Sequence, residues 1–264
     1  MNHYRAALTA EVLKARRSAM PPATLGVASL AGGVAALFMF VLADPARAQQ
    51  LGLLNQKAQL SGLTADWPGL LGFLAQIVAV GCLMLFSFIA TWVFGREYTD
   101  GTVRYLLALP VARSTIVWAK FTVVAGWAAM VTGWLVGVVL ASGWALGLPG
   151  ASADVVAAGL TSTAVAAVLM LLVTAPVALV ASAGRGYLPP LAGAMGAVVA
   201  AQIAAVLGWG SVVPWSVPAV AAGLVPDSEL GVTGLVVAVS TGLAGVLGTA
   251  AWWRSGRAGA GSSA

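Results

Sequence analysis

Six apolar runs, each long enough to cross a bilayer, leave this chain almost no way to fold in water. They cover about 22–43, 69–94, 116–145, 155–183, 189–207 and 231–253. A hydrocarbon core of ~30 Å asks for roughly 20 apolar residues in a helix. Only helices and closed barrels satisfy their backbone groups there, and runs of this length are helical. Of the 264 residues, 60% are hydrophobic and 8% charged, where soluble domains carry about 25% charged. The expected fold is all-α: a polytopic membrane bundle of six transmembrane helices forming a single domain over 1–254, with a disordered tail at 255–264. The first run is longer than the ~7–15 residues of a signal-peptide core, and more spans follow, so it reads as a span despite the cleavage-like Ala46-Arg47-Ala48.

The cations orient the bundle. With the N-terminus inside, Arg5, Lys14, Arg16, Arg17, Arg96, Arg104, Arg113, Lys120, Arg185, Arg254 and Arg257 fall on the inner side. Only Arg47 and Lys57 fall outside, a split of 11 to 2 among the 13 Lys and Arg. The excess of positive charge on cytoplasmic loops predicts both termini in the cytoplasm. The net charge of +5 therefore belongs to topology rather than to nucleic acid.

Residues 1–20 carry Leu8, Val12 and Leu13 at helical spacing, with Glu11 and Lys14 pointing elsewhere. This fits a helix in the membrane interface, its cations reaching the headgroups; a disordered basic tail is the alternative. The long loop 44–69 has room for a short interfacial helix. Within the third run, Trp127 and Trp134 are seven apart and share a face, suited to packing or to lining a path. Pro176 removes a donor from the fourth run and predicts a kink. The apolar middle of the loop 208–230, Val217–Val225, is too short to span and reads as a re-entrant or surface helix.

One stretch is not oily. Residues 94–120 hold six of the 21 charged side chains: Arg96, Glu97, Asp100, Arg104, Arg113 and Lys120. Thr99 or Asp100 offers a helix cap and Gly101 a sharp entry turn. Val103, Leu106 and Leu107 then fall on one face of a short helix, which Pro110 ends near Ala108. A second helix starts at Ser114 or Thr115. The alternative is an ordinary solvated loop.

The stretch resembles the cytoplasmic loop of permease subunits of the ABC-2 type of ATP-driven exporter. The matching positions are Glu97, Gly101–Thr102, Leu106–Leu107, Pro110, Arg113 and Lys120. The motif covers about a tenth of the chain, and the six-span layout extends a weaker likeness over the rest. The resemblance implies that this loop holds a coupling helix docking on a separate ATPase. Glu97, Asp100, Gly101, Thr102, Val103, Arg104, Leu106, Leu107, Pro110 and Arg113 would form the dock. Glu97, Arg104 and Arg113 would pair with charges on the ATPase, and Val103, Leu106 and Leu107 would fill a groove in it. It further implies two ATPase copies carrying ATP and Mg, a second permease subunit, identical or not, and the plasma membrane of a bacterium. The substrate would be amphipathic or apolar: a drug, a peptide antibiotic or a lipid.

What the chain lacks points the same way. Apart from Lys120, close to an end, the six runs hold no ionisable side chain, whereas ion-coupled transporters place such groups in the membrane. His3 is the single histidine and Cys82 the single cysteine, so no catalytic triad or metal site is expected. None of the three lysines sits in a P-loop context, so any energy must come from another polypeptide. Polar groups within runs, Gln76, Thr91, Thr174 and Gln202, are candidates for lining a pathway along with Trp127 and Trp134. Two other classes stay open: a channel or carrier working without an ATPase, and a membrane scaffold or sensor that transports nothing.

Overall fold

A computed structural model describes residues 3–44, 63–225 and 229–255. Arg47, Lys57, Asp227, the expected interfacial helix of the 44–69 loop and the tail from 256 on lie outside these residues. Ten α-helices follow in order among those described. They are α1 (His3–Arg16), α2 (Met20–Ala43), α3 (Trp67–Thr99), α4 (Val103–Leu107) and α5 (Arg113–Ala145). The rest are α6 (Ala153–Thr174), α7 (Pro176–Ala183), α8 (Leu188–Val206), α9 (Val217–Ala221) and α10 (Val232–Arg254). No strand occurs among the described residues, and six helical stretches are long and apolar enough to span a membrane, α6 and α7 counting as one.

The central element is α3, which packs against α2, α5, α6, α7 and α8. Its buried residues occur all round the helix, from Leu70 and Leu71 to Val93 and Phe94, as expected of a helix enclosed by others. It runs on past the expected end near 94 to Thr99. At ~1.5 Å per residue its 33 residues exceed the ~30 Å core, so its last turns project beyond the hydrocarbon. The same arithmetic applies to α5, also of 33 residues.

Small residues set the closest approaches, as in membrane bundles where packing rather than water exclusion drives association. At Gly143 on α5, a Cβ would stand 2.7 Å from the Leu70 side chain and 3.2 Å from the Trp67 ring. At Gly245 on α10, one would stand 2.4 Å from the Pro176 backbone nitrogen. The fourth span breaks there between α6 and α7, as the missing donor of Pro176 predicts. Thr174 Oγ1 donates to the carbonyls of Met170 and Leu171, at 2.9 and 3.1 Å, at the break. A turn of 3-10 helix (Pro214–Ser216) leads into α9, whose Val217, Pro218 and Val220 are buried against the bundle rather than laid on its surface.

Candidate functional site

The described cations gather at one end of the bundle, here the basic end. The chain must place α1, the end of α3 and the start of α5 together there, and it does so with buried charge. Lys120 on α5 is fully buried. Its Nζ uses all three donors: to Glu97 Oε1 at 2.8 Å, to Glu11 Oε2 at 3.1 Å and to the Val93 carbonyl at 2.6 Å. Lys14 Nζ closes the ring, donating to Glu11 Oε1 at 2.6 Å and Glu97 Oε1 at 3.0 Å. Two ammonium groups thus balance two carboxylates, Glu11 and Glu97, both buried. A lysine leaving water needs this pairing, because an isolated buried charge is far too costly. Burial pulls the Lys14 pKa down, but the carboxylates of Glu97 and Glu11 outweigh it and hold it above the ordinary lysine value. Lys14 therefore stays charged, and paired, until the pH rises through that raised value. Glu97 Oε2 is buried with no hydrogen-bond partner.

Outside the ring, Arg96 Nε pairs with Asp100 Oδ2 at 3.1 Å, and its Nη1 donates to the Lys14 carbonyl at 3.4 Å. Its guanidinium also lies 4.9 Å from the Trp92 ring centre. These contacts tie the start of the loop to α1.

The structure corrects two readings of α1 and the loop. Glu11 and Lys14 do point elsewhere than Val12 and Leu13, but inward, entering the ring rather than reaching headgroups, while Val12 and Leu13 are exposed. Ion pairing with Lys120 wins over the apolar spacing because the lysine must have carboxylates. Neither Thr99 nor Asp100 caps α4. Asp100 closes α3, and Thr102 precedes α4 without a side-chain cap bond. Gly101 does take the turn, at φ +67°.

The other expected dock residues divide. Val103 is buried, and Leu106 and Leu107 are half-buried against the protein's own core, with Leu106 also bordering an open groove. A five-residue helix has one apolar side, and it is used within the chain. Glu97 is committed to the ring. Arg113 Nη1 donates to the Trp253 carbonyl at 3.3 Å, joining the starts of α5 and the end of α10. Thr102, Arg104 and Pro110 are exposed, as are Tyr105 (78%) and Leu109 (51%). Of the expected dock residues, Glu97, Asp100, Thr102 and Leu106 border, with Lys14, Arg96, Tyr105 and Leu109, a groove of about 350 Å³ beside α4. Tyr105 stands on the side of α4 away from Val103, and Leu109 lies in the turn just past the end of the helix.

The pathway candidates do not converge on one cavity. Trp127 and Trp134 do share a face, and each reaches a hydroxyl on α2: Trp127 Nε1 donates to Thr24 Oγ1 at 3.0 Å, Trp134 Nε1 to Ser29 Oγ at 2.8 Å. Thr174 serves the break after α6. Thr91 is buried with its hydroxyl unpartnered, and Gln76 is half-buried. Gln202 is exposed and borders a separate groove with Trp215 and Val225. Among the described residues no three His, Cys, Asp or Glu side chains meet in a group that could hold a metal.

A family model described as ABC-2 family transporter protein matches residues 7–201. No curated protein and no solved structure matches the chain.

Proposed function

The chain belongs to the ABC-2 transporter family, and on that premise we propose that it is the membrane-spanning permease subunit of an ATP-driven exporter in a bacterial plasma membrane. Both termini lie in the cytoplasm, and the basic end faces a separate ATPase. Two copies of that ATPase bind ATP and Mg, and a second permease subunit completes the pathway. The substrate is an amphipathic or apolar molecule, such as a drug, a peptide antibiotic or a lipid, in keeping with spans that carry almost no charge.

The observation that carries this reading is the arrangement of α4. Its Val103 is anchored in the bundle, while Arg104 and Tyr105 are exposed, and Tyr105 borders a groove with Leu109 just past the helix end. An element held from within and exposed outside suits a lever pushed by a partner. An aromatic and an arginine are also the side chains favoured at the centre of protein interfaces. Movement of α4 would reach α3 through its three-residue connection and α1 through Arg96 and the ring, so closure of the ATPases could rock the bundle between inward- and outward-open states.

The test is affinity purification from native membranes in mild detergent, comparing the unmodified chain with Arg104→Glu/Leu109→Asp. An ATPase should accompany the first and drop at least tenfold in the second, with the variant still folded by thermal unfolding. If the unmodified chain brings down no ATPase, or reconstituted chain alone moves solute across liposomes, the ATP-driven reading fails.

A further inference from the structure

A second groove lies between α1 and α5. It has a volume of about 460 Å³, and its walls include Leu8, Val12, Arg16, Gly126, Trp127 and Met130. Apart from Arg16 and the Thr122 hydroxyl its lining is carbon. Such a volume is within the ~300–1,000 Å³ that accommodates one small amphipathic molecule.

Its place in the bundle decides what that molecule is. The groove sits between α1, the start of α2 and the first three turns of α5 after Lys120. Because α5 is longer than the hydrocarbon is thick, Lys120 and the Tyr4–Thr122 hydroxyl pair (2.7 Å) belong at headgroup depth. Gly126 to Met130 then lie one to two turns deeper, among acyl chains. The rim opens outward: Val12, Met130 and the nearby Val27 are exposed. At the headgroup end stand Arg16 and its neighbour Arg17, both exposed. Neither has a salt-bridge partner among the described residues, since the carboxylates of this end are engaged with Lys14, Lys120 and Arg96.

We propose that this groove is a binding site for one anionic phospholipid, an acyl chain lying along Gly126, Trp127 and Met130 and its phosphate held at Arg16. The pairing of a carbon-lined trough with a cation at its headgroup end carries this assignment, which does not depend on the exporter reading. The lipid would brace α1 against α5 from the side opposite the charge ring. It also gives Trp127 a lipid contact rather than a place on a transport path.

Two variants separate the parts of the site. Gly126 has open space where a Cβ would be, so Gly126→Leu fills the trough without a clash. Arg16→Gln removes the headgroup contact from an exposed position. The protein is reconstituted in nanodiscs containing phosphatidylglycerol or phosphatidylcholine with brominated acyl chains at equal mole fraction. The fluorescence of Trp127 is taken as the difference between the wild-type chain and Trp127→Phe. Brominated phosphatidylglycerol should quench it with about fivefold higher apparent affinity than phosphatidylcholine, the effect of one arginine near an anionic surface. Arg16→Gln should erase that preference, and Gly126→Leu should erase quenching by either lipid. Phosphatidylglycerol retained per chain on native mass spectrometry should fall in both variants and not in Arg5→Gln. Equal quenching by the two lipids in the wild-type chain would overturn the proposal. So would an absence of quenching, which is the result expected if a second copy of the chain covers the groove.

Discussion

The two ends of α3 are fastened differently. At the basic end, Glu97 meets Lys14 and Lys120, and these meet Glu11, so three helices are joined by ion pairs. At the opposite end, Asp66 caps α3 locally, its Oδ1 accepting from the Gly69 N–H at 2.8 Å. Trp67 is buried edge-on to Trp144, ring centres 5.2 Å apart, and its backbone N–H donates to the Pro149 carbonyl at 3.0 Å. The aromatic end loses contact area when a member is removed. The ionic end loses more, because each member removed strands its opposite charge in the protein. The ionic end is also the one left incompletely satisfied, at Glu97 Oε2. Of the two, it is the end where a displaced helix has polar groups able to re-pair, which suits a joint rather than a clamp.

Three substitutions would break or sharpen that contrast. Lys120→Met should be the most damaging, at about 4 kcal/mol, because Glu11 and Glu97 then share only Lys14. Chemical unfolding in detergent reads it. Adding Glu97→Gln to Lys120→Met should recover a large part of that loss; a double variant no better than the single would show that the ring is not a charge balance. Trp67→Ala should cost about 3 kcal/mol from lost packing against Leu70, Gly143 and Trp144. Its coupling to Trp144→Ala in a double-mutant cycle should be only about 1 kcal/mol, well below the coupling of Lys120 to Glu97. Asp66→Ala should cost least, about 1 kcal/mol, as the loss of one helix cap. Its effect should add independently to that of Lys120→Met, since the two lie at opposite ends of α3.

The sequence showed the spans because apolar length is a local property, and it showed the break at Pro176 because a missing donor is local too. It marked residues 94–120 by charge. What it left open was what covers each face. Val103, Leu106 and Leu107 have the right spacing for an apolar face, but spacing does not say whether the chain itself or a partner covers that face. Glu11 and Lys14 look like surface charges on an interfacial helix, and only their neighbours show otherwise. One clue to the ring was present: a lysine inside an apolar run needs carboxylates, and on the basic side the chain has only Glu11, Glu97 and Asp100. Choosing among them needed the packing of α1 on α5.

The sequence by itself therefore determined the solvent, the number of crossings and the side on which charge collects, since each follows from summed transfer energies along the chain. The tertiary structure alone decided which charges are spent within the protein and which side chains remain for something outside it. That distinction depends on contacts between residues far apart in the chain, such as Glu11 and Lys120, 109 apart, whose energies no local pattern encodes.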